Sequence, residues 1–135
     1  MREILFKAKT CNGEWVQGLL AHKDEKWFIS NKAGMPFAYE VRPETISQYT
    51  GLTDKNGNKI WENDICRYID GDENGIKEET FVVKYGRHEE LFKINMGFYI
   101  DWIKTNYYRC DLVFWTENRN IEVIGNVFDN TELLN

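Results

Sequence analysis

The residues of this chain best suited by type and spacing to do chemistry are its carboxylates. Asp70-Gly71-Asp72-Glu73-Asn74-Gly75 reproduces the opening D-x-D-x-N-G of a calcium-binding loop. Oxygens at alternate positions, followed by a glycine where the backbone must turn sharply, would converge on a hard cation. The rest of such a loop is missing. Position twelve should carry a bidentate carboxylate and is Phe81; position eight is usually apolar and is Lys77. The flanks read as strands, so Asp70, Asp72 and Asn74 are expected on a polar hairpin loop, and no metal or other cofactor is expected. Glu62 and Asp64 could form a carboxylate pair, but Asp64 also suits a hydrogen bond to the backbone of its own turn, and that role is favoured.

The remaining reactive side chains are no better placed. His22 lies beside Lys23 and Asp24, and His88 lies in a polar run at residues 86–90 that reads as a turn. Both read as solvated loop histidines rather than general bases. Ser30 and Ser47 lack the flanking glycines of a nucleophile elbow, and no glycine-rich phosphate loop precedes a helix. Cys11, Cys66 and Cys110 are odd in number, widely spaced and without a CxxC pair. They read as reduced thiols, with Cys66 and Cys110 in apolar stretches as packing residues. An enzyme is therefore not expected; a metal-dependent hydrolase is an alternative that would need Asp, Glu and His side chains to converge in a pocket.

The elements that must position these residues are short strands. Residues 2–8 alternate, with Ile4, Phe6 and Ala8 on one face, and Asn12-Gly13 turns the chain into a returning strand at 15–21. Residues 22–25 form a turn, 27–29 a third strand and 37–41 a fourth; Pro36, just before it, cannot donate a ladder bond. Arg42-Pro43-Glu44 marks a seam. Further strands are expected at 65–69, 81–85, 91–96, 107–115 and 121–127. Phe98, Ile100 and Trp102 fit either a continued strand or a short helix at 99–104, since periodicity does not decide between them. Residues 131–134 suit one helical turn capped by Asn130. The expected fold is mainly β: antiparallel strands in two packed halves, the second a small SH3-like barrel, with at most short helices. Its 135 residues suit one domain, 1–135, with subdomains 1–46 and 47–135.

The densest local code is Gln48-Tyr49-Thr50-Gly51-Leu52, then Asp54-Lys55-Asn56-Gly57, then Ile60-Trp61-Glu62-Asn63-Asp64-Ile65. Asn56-Gly57 signals a two-residue type I′ hairpin turn, which needs φ > 0 at both central residues. Thr50-Gly51 reads as a second turn and Asn63-Asp64 as a third. Turn chemistry accounts for every residue here, so Gln48, Tyr49, Thr50, Gly51, Leu52, Asp54, Asn56, Gly57, Glu62 and Asp64 form a structural signature.

That signature resembles the one found in the YopX family, small proteins encoded by bacteriophages and prophages. The resemblance extends to Gly13-Glu14-Trp15-Val16 with Gly18, to Pro43-Glu44-Thr45-Ile46, and to Glu122-Val123-Ile124-Gly125-Asn126-Val127-Phe128 with Asn130, Leu133 and Leu134. Residues 70–120 match loosely. The family usually has Gly where this chain has Asn63; Asn is the next most comfortable residue in the left-handed region, so the turn should survive. The resemblance implies a phage origin and a β-rich fold, and implies no reaction.

A net charge of −5 argues against broad nucleic-acid binding, because neutralising phosphate needs a basic surface. No apolar run reaches membrane-span length, and the first residues have no signal-peptide core, so the cytoplasm of the bacterial host is expected. The aromatic content is high, with five Trp, seven Tyr and eight Phe, and pairs such as Phe114-Trp115 cover both faces of a strand. Such strands are either sandwiched or presented to a partner. The expectation is a non-enzymatic interaction protein that self-associates, with Tyr107, Tyr108 and Trp115 as anchors, or that meets a host or phage protein. A nucleic-acid-binding small barrel is the alternative.

Overall fold

The computed structural model describes residues 4–30, 38–72, 75–90, 93–104, 111–118 and 120–135. The chain is mainly β, and it divides between Gly51 and Leu52 into two compact units.

In the first unit, β1 (Phe6–Lys9), β2 (Trp15–Lys23), β3 (Lys26–Ser30), β4 (Ala38–Val41) and β5 (Ser47–Thr53) lie in the order β4-β3-β2-β1-β5. Local chemistry builds the hairpins. Between β1 and β2 the Gly13 N–H donates to Thr10 O at 2.9 Å with Gly13 at φ +86°, as the Asn12-Gly13 signal anticipates. Between β2 and β3, Asp24 and Glu25 both take positive φ, +53° and +64°, so a tight turn is made without glycine. Ala8, Ile29 and Val41 are buried, with Phe6, Val16, Leu20, Trp27 and Ile46 packed on them. Ile4, expected on the same face, is exposed instead; it precedes β1 and so lies outside the paired ladder. Thr50-Gly51 is not a chain reversal: β5 runs through it, and Gly51 absorbs φ +88° inside the strand.

In the second unit, β6 (Lys59–Trp61) follows a hairpin from the end of β5. Then β7 (Asp64–Asp72), β8 (Gly75–Glu90), β9 (Lys93–Trp102) and β10 (Asn120–Asn126) form an antiparallel sheet in the order β10-β7-β8-β9. The alternating residues Cys66, Tyr68, Phe81, Val83, Ile100 and Trp102 bury one face of it, joined by Ile60, Ile121 and two residues of a helix, Leu112 and Trp115. Closure into a small barrel is not seen: β10 and β9 are the two edges of this sheet among the described residues.

Two expectations need correction here, and one open alternative is decided. Residues 112–115 are not strand, because α1 spans Leu112–Asn118, and Asp111 makes only an isolated β-bridge with Tyr99; residues 107–110 lie outside the described set. The run is apolar enough for either structure, but Asp111 Oδ1 accepts the Val113 N–H at 3.0 Å, and Leu112 and Trp115 fall on one buried stripe three apart. Residues 99–102 are strand rather than helix. Residues 86–90 are not a turn. Gly86 and Gly97 face each other across β8 and β9, and the rings of His88 and Tyr99 stack at 4.8 Å, with Tyr99 covering Gly86. Aromatic cover of a glycine pair lets the ladder continue to Glu90 and Lys93.

Candidate functional site

From Leu52 to Ile65 the signature resolves into a set of staples within the second unit. Asn56 is not at positive φ, so the expected type I′ turn is replaced by a three-residue loop with only Gly57, φ +84°, in the left-handed region. Asp54 decides this geometry. Its Oδ1 accepts the N–H groups of Asn56 and Asn58, both at 2.9 Å, which holds the turn in ordinary right-handed conformation before Gly57. Its Oδ2 accepts the Asn58 side-chain amide at 3.3 Å and the Val123 N–H of β10 at 3.0 Å. Burial pushes this carboxyl up, but the bonds from Val123, Asn58 and Asn56 outweigh it and hold Asp54 below the ordinary carboxylate range.

Lys55 completes the attachment: its N–H donates to Ile121 O at 2.9 Å and its Nζ lies 3.4 Å from Glu122. Glu122 also receives Arg67 at 2.7 Å. At the next corner Asn63 has φ +73°, the conformation for which the family's glycine is suited. The buried Asp64 accepts the Trp61 N–H at 2.8 Å, the turn-binding role favoured over a carboxylate pair with Glu62. At the far end Asn130 precedes the 3-10 turn Thr131–Leu134 but does not cap it with its side chain. Its Oδ1 instead accepts the Asn126 N–H at 3.1 Å, directly against Gly125.

The chemistry available elsewhere is sparse. A cleft of about 380 Å³ in the second unit is lined by Asn63, Lys84, Asp101, Trp102 and Val127, among others. Lys84 and Asp101 pair at 2.6 Å, and the hydrogen bond to Asp101 raises the Lys84 ammonium above its ordinary value. A lysine used as nucleophile or base needs the opposite shift. Burial, with Asp64 and Asp54 adding to it, pushes the Cys66 thiol well up, which makes it a packing residue rather than a reactive one. His22 stacks on Trp27 at 4.3 Å, and His88 is occupied with Tyr99 and lies 3.3 Å from Gly86 O. Among the described residues no three His, Cys, Asp or Glu side chains gather as a metal site.

Asp70 and Asp72 stand in the ladder of β7, opposite Lys77 and Gly75 of β8; Asn74 lies outside the described residues. Tyr107 and Tyr108 also lie outside them. Trp115 is 7% exposed and packs edge-on against Tyr68 and Trp102, so its ring is spent on the core of the second unit.

The surface that the sequence reading missed is the outer half of β8 and β9. The pairing of β7 with β8 ends at Val82, whereas that of β8 with β9 continues to Glu90 and Lys93. Among the described residues the outer part is therefore a two-stranded arm. On the arm, the buried stripe of Phe81, Val83, Ile100 and Trp102 continues as Tyr85, Phe98, Met96 and Ile94. Tyr85 and Phe98 meet edge-on at 5.0 Å. Tyr85, Ile94 and Met96 are 51%, 61% and 69% exposed. Alternation puts Ile94 and Met96 on one side of a strand, and that pattern alone does not say whether the side is covered.

A family model described as YopX protein matches residues 6–135. No curated protein sequence matches the chain. Among solved structures, the crystal structure of protein EF1440 from Enterococcus faecalis is similar, with 24% identity over the whole of both chains and a TM-score of 0.59, a likeness of fold.

Proposed function

Since this chain belongs to the YopX family, we propose that it is a phage- or prophage-encoded accessory protein, acting in the host cytoplasm as a non-enzymatic interaction module that self-associates. The observation that carries this reading is the β8–β9 arm. Three large apolar side chains, Tyr85, Ile94 and Met96, stand in water on one face of a two-stranded ribbon. An isolated ribbon is marginal in water, and an apolar face on it gains stability by being covered. The rest of the molecule supports the same reading: the signature carboxylates bind backbone, and the lysine of the cleft is shifted away from catalytic use.

A nucleic-acid reading draws on one observation, the ammonium groups of Lys7 and Lys9 at 4.7 and 5.4 Å from the Trp15 ring centre. It predicts salt-sensitive retention on single-stranded DNA or RNA. Size-exclusion chromatography with light scattering tests the leading reading. A mass above one chain is expected, rising with concentration; a strict monomer at high concentration removes self-association.

A further inference from the structure

The apolar face of the arm also carries charge of both signs. Arg87 and Glu89 are two residues apart on β8, so they share the face of Tyr85, and their partners across the ladder are Met96 and Ile94. A face built this way is complementary to itself. Rotation about a two-fold axis crossing the arm at the level of His88 and Asn95 brings Arg87 over Glu89 of the second copy and Met96 over Ile94 of the second copy, each pair formed twice. We infer that two copies of this chain associate by laying their β8–β9 arms face to face about this axis. This rests on the self-association proposed above and specifies its surface.

Charge selects a second copy over an unrelated partner. A partner surface of uniform sign would set either Arg87 or Glu89 against its own charge, whereas the two-fold pairs opposite signs at both positions. The area is adequate. The exposed parts of Tyr85, Ile94 and Met96 amount to about 400 Å² per copy, the size at which a surface patch is often functional. About this axis the residues that meet are Arg87, Glu89, Ile94 and Met96 of both copies, a contact on the order of 1,000 Å², the size a specific but weak interface must reach.

The test is sedimentation of the full chain from micromolar to millimolar concentration, with unchanged circular dichroism and melting confirming that each variant is folded. Met96→Glu, Arg87→Glu and Glu89→Arg should each raise the dimer dissociation constant at least tenfold. Combining Arg87→Glu with Glu89→Arg should restore it to within about threefold, since the two-fold pairs are remade with signs exchanged. A dimer unmoved by all of these variants would overturn the arm pairing while leaving self-association through another surface. A strict monomer would overturn both.

Discussion

Replacing Asp54 with alanine should cost the second unit far more than an exposed hairpin residue ordinarily would. The carboxylate accepts four hydrogen bonds, three of them from backbone N–H groups. Bonds to a charged acceptor each contribute about 1.5–3 kcal/mol, and a buried N–H left without one costs about 1–3 kcal/mol. The N–H groups of Asn56 and Asn58 lie at a loop where water can substitute, so they are discounted. Val123 N–H lies in β10, 69 residues away along the chain, and counts in full. The sum is roughly 3 kcal/mol, a fall in Tm of roughly 10 °C for a chain of this size.

Asp54→Asn keeps one acceptor oxygen and should lose about half as much. Lys55→Ala removes only a partly exposed ion pair and should lose about 0–1 kcal/mol. Because the folded carboxyl of Asp54 lies below its ordinary value, its contribution is complete above the unfolded pKa of about 3.9 and fades as pH falls through the lower folded value. The stability gap between wild type and Asp54→Asn should therefore be flat from pH 7 to about 5 and narrow in stronger acid. Calorimetry across pH, with hydrogen exchange at Val123, provides the assay. A loss under about 1 kcal/mol for Asp54→Ala, or an equally protected Val123 amide, would refute the staple.

Two further substitutions probe the corners. Glu25→Gly should raise stability by about 0.5–1 kcal/mol in thermal melts, because Glu25 sits at φ +64° where a side chain costs energy that glycine avoids. Gly125→Ala should cost about 1–3 kcal/mol by denaturant titration: a Cβ there would lie 2.5 Å from Asn130 Oδ1, forcing that side chain off the Asn126 N–H.

What could be read from residues alone was set by interactions a few positions long. Asn12-Gly13, Asn63 and Asp64 announce their corners because φ preference and a carboxylate's reach to a nearby N–H act locally. The same logic came close at Asn56-Gly57 and missed the turn type, because Asp54 competes for the loop's N–H groups. It failed at residues 112–115, where an apolar run suits strand or helix and Asp111 was the overlooked cap. It failed again at Gly86, whose turn signal is cancelled by a glycine opposite and two stacked rings.

The amino-acid order by itself determined the β-rich character, the family and the positions of most hairpins, since backbone preference and alternation are properties of neighbouring residues. Only the tertiary structure decided that Asp54 binds a strand distant in the chain, that Trp115 is core, and that Ile94 and Met96 stand in water. The physical reason is that an alternating apolar strand looks the same whether or not another layer covers it. Cover depends on how far each neighbouring strand runs, and here β7 stops while β8 and β9 continue.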